Sequence, residues 1–323
     1  MKTFLLATVL TGLAQLSSVT AQGQPYPNKP VRLIVPFTPG GGTDIATRII
    51  APKLSERFGQ QAVVDNRAGA AGAIGTEATV KSAPDGYTLL IGSTSEIGIS
   101  PSLYAKLPYD VLRDLIAVAP IAATPMVLVV PPSLPVNTAG DLVKLARARP
   151  GEINFASAGA GTGNHMWSVL FAHLTRTKIV HVAYKGGAPA QTDVMSGQVQ
   201  MMFATLPAAT PFVKAGRLKA LAVSSAQRAP TMPQIPTMAE SGVAGFEALY
   251  WYGFFAAAAT PRDILARIYT DTAAVLRLPE IASSFSTQGL QPLSLSQEVF
   301  VAFIRSEMEK WAVVVKASGA RVD

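Results

Sequence analysis

The chain has 323 residues, with 27 Lys and Arg against 20 Asp and Glu, 3 His, no Cys and a formal net charge of +7. That length allows two domains with separate cores, and the lack of Cys excludes disulfides, thiolate metal sites and a lipidated N-terminal Cys. The basic residues (Arg32, Arg48, Lys53, Arg57, Arg67, Lys81) are scattered and not interleaved with aromatics, a pattern that excludes nucleic-acid binding and suits small anionic ligands.

Residues 1–21 have the pattern of a secretion signal: Lys2, a short apolar stretch over residues 4–16, and the small residues around Val19-Thr20-Ala21. Cleavage is expected after Ala21, giving a periplasmic protein without a lipid anchor. The apolar stretch is shorter than the ~20 residues a spanning helix needs and is broken by Thr and Gly.

Val31-Arg32-Leu33-Ile34-Val35 is a β-rich run that ends at Pro36 and leads through Pro39-Gly40-Gly41-Gly42 into a helical pattern over 43–58. The arrangement recurs at residues 153–155, the glycine loop 157–163 and a helical pattern over 166–174. It comes a third time at 179–182, with Tyr184-Lys185-Gly186-Gly187 and a helix through Met195. Further strands are predicted at 87–91, 199–203 and 218–223. Such alternation predicts an α/β fold with parallel sheets covered by helices on both faces.

Two stretches break the alternation, a Pro-punctuated β-prone run at 116–130 and an aromatic and alanine-rich run at 249–259. Both are predicted to cross between lobes. Residues 22–127 plus 251–323 then form one lobe and 128–250 the other, with helices at 261–276 and 297–316 and a Pro-rich loop at 229–236.

Ligands of open α/β sheets bind beyond the carboxyl ends of the strands, where all three glycine loops fall. Each loop ends at a helix N-terminus, whose free N–H groups and dipole suit an anion such as a carboxylate. Thr43, Ser157, Thr162, Asn164, Thr94 and Ser95 are candidate donors. Gly-rich βα turns also occur simply because helices need caps, and Asp44 fits that role: it caps the helix or orients Thr43 and a loop N–H. His165 either donates to the anion or is a packed residue, and Lys185 is either a counter-ion or a solvated side chain.

Enzyme signatures are missing from the sequence. His165, His173 and His181 form no HExxH motif. Gly159-x-Gly161-x-Gly163 lacks the dinucleotide spacing, the loop from Gly69 to Gly75 lacks a P-loop Lys, and no GxSxG surrounds Ser93 or Ser157. No cofactor and no metal are expected.

Several segments, in order along nearly the whole mature chain, resemble the Bug or TctC type extracytoplasmic receptors of tripartite tricarboxylate transport systems. They are Tyr26-Pro27-x-Lys29-Pro30-Val31, Val35-Pro36-Phe37-x-x-Gly40-Gly41-x-x-Asp44, Asp65-Asn66-Arg67-x-Gly69 through Gly75, residues 83–89, Tyr184-Lys185-Gly186-x-x-Pro189-Ala190 and residues 216–223. The resemblance implies a periplasmic binding protein type II fold, with two α/β lobes of parallel-rich sheet joined by two crossover strands. It also implies a cleft in which the first glycine loop and the 157–163 loop grip a carboxylate, partly through ordered water, and it carries over to Phe37, Gly41, Gly42, Thr43, Ser157, Gly159, Thr162 and Tyr184. With Gly40, Asp44, Thr94, Ser95, Gly161, Gly163, Asn164 and Gly186 from the loops themselves, these form the candidate site. Where many members carry an acidic residue, this chain has Ala204-Thr205, which favours a ligand without a cationic group. The expected function is capture of a small organic acid by a monomer and delivery to transporter membrane subunits after hinge closure. The alternatives are a sensor or adaptor for a signalling receptor and, ranked below it, a hydrolase.

Overall fold

The computed structural model describes residues 26–322, so the expected signal segment lies outside the described residues. In chain order the elements are β1 (Val31–Val35), α1 (Gly42–Phe58), β2 (Ala62–Asn66), α2 (Ala73–Val80), β3 (Thr88–Ser93), a wide helical turn (Thr94–Ile99), α3 (Ser100–Leu103), α4 (Val111–Asp114) and β4 (Leu115–Val130). There follow α5 (Ala139–Ala148), β5 (Ile153–Ser157), α6 (Gly163–Thr175), β6 (Ile179–Ala183), α7 (Gly187–Met195), β7 (Met202–Thr205), α8 (Leu206–Lys214) and β8 (Lys219–Val223). The chain closes with β9 (Leu249–Ala257), α9 (Arg262–Leu276), α10 (Pro279–Gln288), β10 (Gln291–Pro292) and α11 (Gln297–Ser318).

Two α/β lobes share one strand. In the first lobe the order is β10-β4-β9-β3-β1-β2. β1 pairs in parallel with both β2 and β3, and Leu33, Ile34 and Val35 are buried, as befits β-branched and Leu side chains on a strand covered on two faces. In the second lobe β5 and β6 pair in parallel, and the Phe155–Met201 bridge sets them beside β7.

β4 belongs to both lobes. Its residues 115–125 pair antiparallel with β9, and its residues 126–130 pair antiparallel with β7 and β8. Proline cannot donate to a sheet ladder, and Pro125 falls at the handover between the two sets of partners. The two predicted crossover runs are thus β4 and β9. They lie side by side, and pairing at the crossovers is antiparallel whereas the βα units are parallel.

A tryptophan pair also ties the lobes together. Trp167 of α6 packs on Trp311 of α11 with ring centroids 4.5 Å apart, and both are wholly buried. Each such ring removes on the order of 200 Å² of surface from water.

Candidate ligand-binding cleft

The carboxyl ends of β1, β3, β5, β6 and β7 all open on one cleft between the lobes. Its inner part encloses about 480 Å³ of empty space, open solvent at the mouth included. From the first lobe it is lined by Phe37, Gly41, Gly42, Thr43 and Ser95, with Tyr250 of the crossover strand β9 between the lobes. From the second come Ala158, Thr162, Asn164, Gly187, Gln191, Met202, Ala204, Thr205 and Ala208. None of these side chains carries a charge.

Four helices start at this wall: α1 after Gly41, α6 after Thr162, α7 after Gly186 and α8 after Thr205. None of the four has a hydrogen bond from its N-cap side chain. Helices α2, α3, α9 and α10 also lack one, and of these the first turns of α9 and α10 are largely exposed to water. The first turns of α1, α6 and α8 are largely covered, while that of α7 is exposed at Pro189, so the N–H groups not already bonded face a confined, uncharged space, the arrangement that solvates an anion without a counter-ion.

The cleft continues outward into a second cavity, with Phe37 and Ala158 lining both. Residues 68–72, Tyr104, Gly159, Ala160, Tyr184, Lys185 and Gly186 line the outer part. Lys185 is its one charged lining residue. The Tyr184 hydroxyl donates to Asp193 at 2.7 Å, away from the site.

Close approaches hold the lobes together at the rim. Tyr104 Oη donates to the Ala160 carbonyl at 2.8 Å, and the Gly163 amide donates to Ser95 Oγ at 2.9 Å. A Cβ on Gly42 would lie 2.5 Å from the Tyr252 hydroxyl and 2.6 Å from Thr205 Oγ1, and one on Gly186 would overlap Thr38. Only glycine permits either approach. The Tyr252 hydroxyl is buried and finds no hydrogen-bond partner among the described residues.

A model described as tripartite tricarboxylate transporter family receptor matches residues 46–320. The chain belongs to this receptor family. BugT of Bordetella pertussis is 38% identical over 298 residues, covering 92% of this chain and 91% of BugT. Among solved structures, R. palustris Rpa4515 with adipate superposes with a TM-score of 0.89 at 36% identity, over 92% of this chain and 100% of that one. MatC from Rhodopseudomonas palustris with bound malate gives 0.86 at 27% identity, over 90% and 100%.

For this tripartite transporter receptor, the sequence-predicted residues divide into three groups. Phe37, Gly41, Gly42, Thr43, Ser95, Thr162 and Asn164 line the inner cleft. Gly159, Tyr184 and Gly186 line the outer part.

The remaining residues do not line it and instead hold the loops in shape. Asp44 accepts from the Gly40 amide at 3.0 Å, from Arg48 at 2.9 Å and from Asn66 at 3.0 Å. Burial alone would raise its pKa; the bonds from Arg48, Gly40 and Asn66 outweigh it and hold the carboxyl below its ordinary value. Asp44 therefore orients the loop rather than capping α1. Thr94 Oγ1 accepts from the Trp251 amide at 2.9 Å. Ser157 Oγ contacts His181 Nε2 at 2.6 Å, and the Gly161 amide donates to His165 Nδ1 at 3.1 Å. The two imidazoles stack 4.1 Å apart. Burial and the neighbouring His181 lower His165 to about 3, and burial lowers His181 to about 4, so both are neutral and His165 is the packed residue of its two alternatives.

Thr205, Gln191, Tyr250 and the 68–72 loop lie outside the candidate set from the sequence. Thr205-Leu206-Pro207 carried a signal, since a Thr followed by Pro in the first turn marks a helix start after a strand. Tyr250 had none, because the fold of β4 and β9 alone turns it toward Ser95.

Proposed function

We propose that this receptor captures a small organic carboxylate in the cleft and hands it to the membrane subunits of a tripartite tricarboxylate transporter. Residues 22–127 plus 251–323 form one lobe and 128–250 the other. It works in the periplasm, released there by cleavage after Ala21, and acts as a monomer. The observation that carries this reading is the convergence of four helix N-termini, none capped by its own side chain, on a cleft with no charged inner lining.

The ligand is an anion with an uncharged body. No carboxylate lines the inner cleft, and Ala204 and Thr205 stand where a cationic group would need an acidic partner. The adipate and malate held by the R. palustris structures support an aliphatic dicarboxylate, with Lys185 at the mouth as a counter-charge for a second carboxylate.

Ligand binding favours the closed lobes, because only there do the amides of the first loop and Thr162 and Asn164 of the second lobe face one anion. A thermal-shift screen of mature protein with adipate, malate, monocarboxylates and amino acids tests the reading. Organic acids should raise the melting temperature and amino acids should not. A screen in which no acid stabilises the protein would overturn it. Closure itself is read by tryptophan fluorescence, since the Trp167–Trp311 pair spans the two lobes; saturable binding without a spectral change would argue against hinge motion.

A further inference from the structure

Behind the cleft floor lies a hydrogen-bonded chain of four side chains. Glu96 Oε2 meets Ser93 Oγ at 2.7 Å, Ser93 Oγ meets Tyr250 Oη at 2.7 Å, and Tyr250 Oη meets Ser95 Oγ at 2.7 Å. Glu96 is wholly buried, and its other oxygen accepts from the Ser93 amide at 2.5 Å. Ser95 and Tyr250 belong to the cleft lining, so the chain begins in the core and ends at the cleft.

No cation pairs with Glu96 among the described residues. Tyr109 donates to its backbone carbonyl at 2.9 Å. Tyr250 and Tyr252 of β9 are the other titratable groups that face it, and Phe37 and Gly72 cover its remaining side. On α11, packed against the same helical turn, Trp311 faces Gly98, while Glu307 and Lys310 pair with each other and Glu307 also accepts from Trp251. An ionised carboxylate buried without a counter-charge is costly.

We propose that Glu96 holds a proton when the cleft binds its anion, and that this proton sets the direction of the hydroxyl chain so that Ser95 can donate into the cleft. The proposal rests on the receptor reading above and adds a coupling to it. An ionised Glu96 must accept from the Ser93 hydroxyl. Tyr250 must then donate to Ser93, and its oxygen draws back the hydroxyl hydrogen of Ser95. Ser95 would then meet an anion with lone pairs.

With Glu96 protonated every bond reverses. Glu96 donates to Ser93, Ser93 to Tyr250, and Tyr250 to Ser95. Ser95 accepts from the Gly163 amide as well, and its own hydrogen is free for the ligand. Burial pushes the Glu96 carboxyl up to about 8, in keeping with a proton held at neutral pH. The proton stays on Glu96 and the chain merely reorients.

Glu96→Gln tests this well, because the Ser93 amide fixes the side-chain orientation. The Gln oxygen must accept from that amide, leaving its NH2 to donate to Ser93 Oγ, which copies the protonated state. Infrared spectra of the ligand-free full receptor should show a protonated carboxyl band at pH 6 that is lost in Glu96→Gln. Absence of that difference overturns the proposal whether or not any acid binds.

Calorimetry with adipate as the probe then reads the coupling. Wild-type affinity should be level up to about pH 8 and weaken about tenfold per further pH unit, while Glu96→Gln stays level. Equal pH profiles for the two proteins would also overturn it. If no acid binds at all, the receptor reading fails and the infrared band alone decides the proton.

Folding stability gives a third readout. The raised carboxyl keeps its proton where the unfolded chain has lost it, so wild-type stability should decline as pH rises from 4.5 to about 8. Glu96→Gln should lack that decline.

Discussion

The first and second glycine loops look alike in sequence, and the structure uses them differently. In the first, the Gly40 amide is taken by Asp44, and those of Gly41, Gly42 and Thr43 have no partner outside α1 among the described residues. In the second, Gly159 donates to Ser157 Oγ, Gly161 to His165, Thr162 to the Gly159 carbonyl and Gly163 to Ser95 Oγ. One loop offers its amides to a ligand. The other has committed nearly all of them to its own shape, and presents Thr162 and Asn164 from a rigid frame. Anion binding at βα turns thus depends on which amides are left over, and glycine spacing does not reveal that.

The sharpest way to break this contrast is to block the first loop. Gly42→Ala places a methyl against Tyr252 and Thr205, so the lobes cannot close on the ligand, and affinity for adipate should fall by at least about 100-fold. Circular dichroism should be unchanged, because the methyl meets two side-chain hydroxyls, Tyr252 within the lobe and Thr205 across the cleft, and no backbone of the helix. Gly41→Ala is the control: its nearest neighbour would be the Thr38 carbonyl at 3.5 Å, an ordinary contact. Equal losses from the two variants would show that the amides matter less than the loop's flexibility.

A smaller effect should come from the frame of the second loop. His165→Phe keeps a stacking ring beside His181 but removes the acceptor of the Gly161 amide. A buried N–H without a partner costs ~1–3 kcal/mol, and affinity should drop roughly tenfold with it. His165→Asn puts an oxygen near the place of Nδ1 and should restore both. The pH dependence has a definite sign. Below pH 6.5 the unfolded chain takes up protons that the buried imidazoles refuse, so this part of the stability falls as pH drops from 6.5 toward about 3. A His165→Phe protein that binds as tightly as wild type would make the pair a packing feature with no bearing on the site.

Much of the architecture was legible because its signals are local. β-branched runs, glycine loops and helical spacing located β1, α1, β5, α6 and α7, and the Pro-punctuated and aromatic runs located β4 and β9. What the sequence could not reveal depends on long-range pairing. Tyr250 reaches Ser93 and Ser95 from a strand more than a hundred residues away, and Thr205 faces Gly42 across the cleft. Asp44, Ser157, Gly161 and Gly163 were legible as special positions, but chemistry alone does not tell a residue that touches ligand from one that shapes the loop.

The smallest expected effect concerns a buried hydroxyl behind the cleft that neither loop uses. Tyr252 Oη lies beside Gly42 and Thr205, buried and without a partner among the described residues. A buried hydroxyl that makes no hydrogen bond destabilises the protein that carries it, so its place at the α1 N-terminus makes sense if it serves the anion. Tyr252→Phe should leave the melting temperature of the ligand-free protein unchanged or slightly higher. It should weaken adipate binding severalfold, in keeping with one hydrogen bond to a charged group weighed against the solvation it replaces. The opposite pattern, a lower melting temperature with affinity intact, would place the hydroxyl with the loop-shaping groups and leave the amides of Gly42 and Thr43 as the principal anion donors of the first lobe.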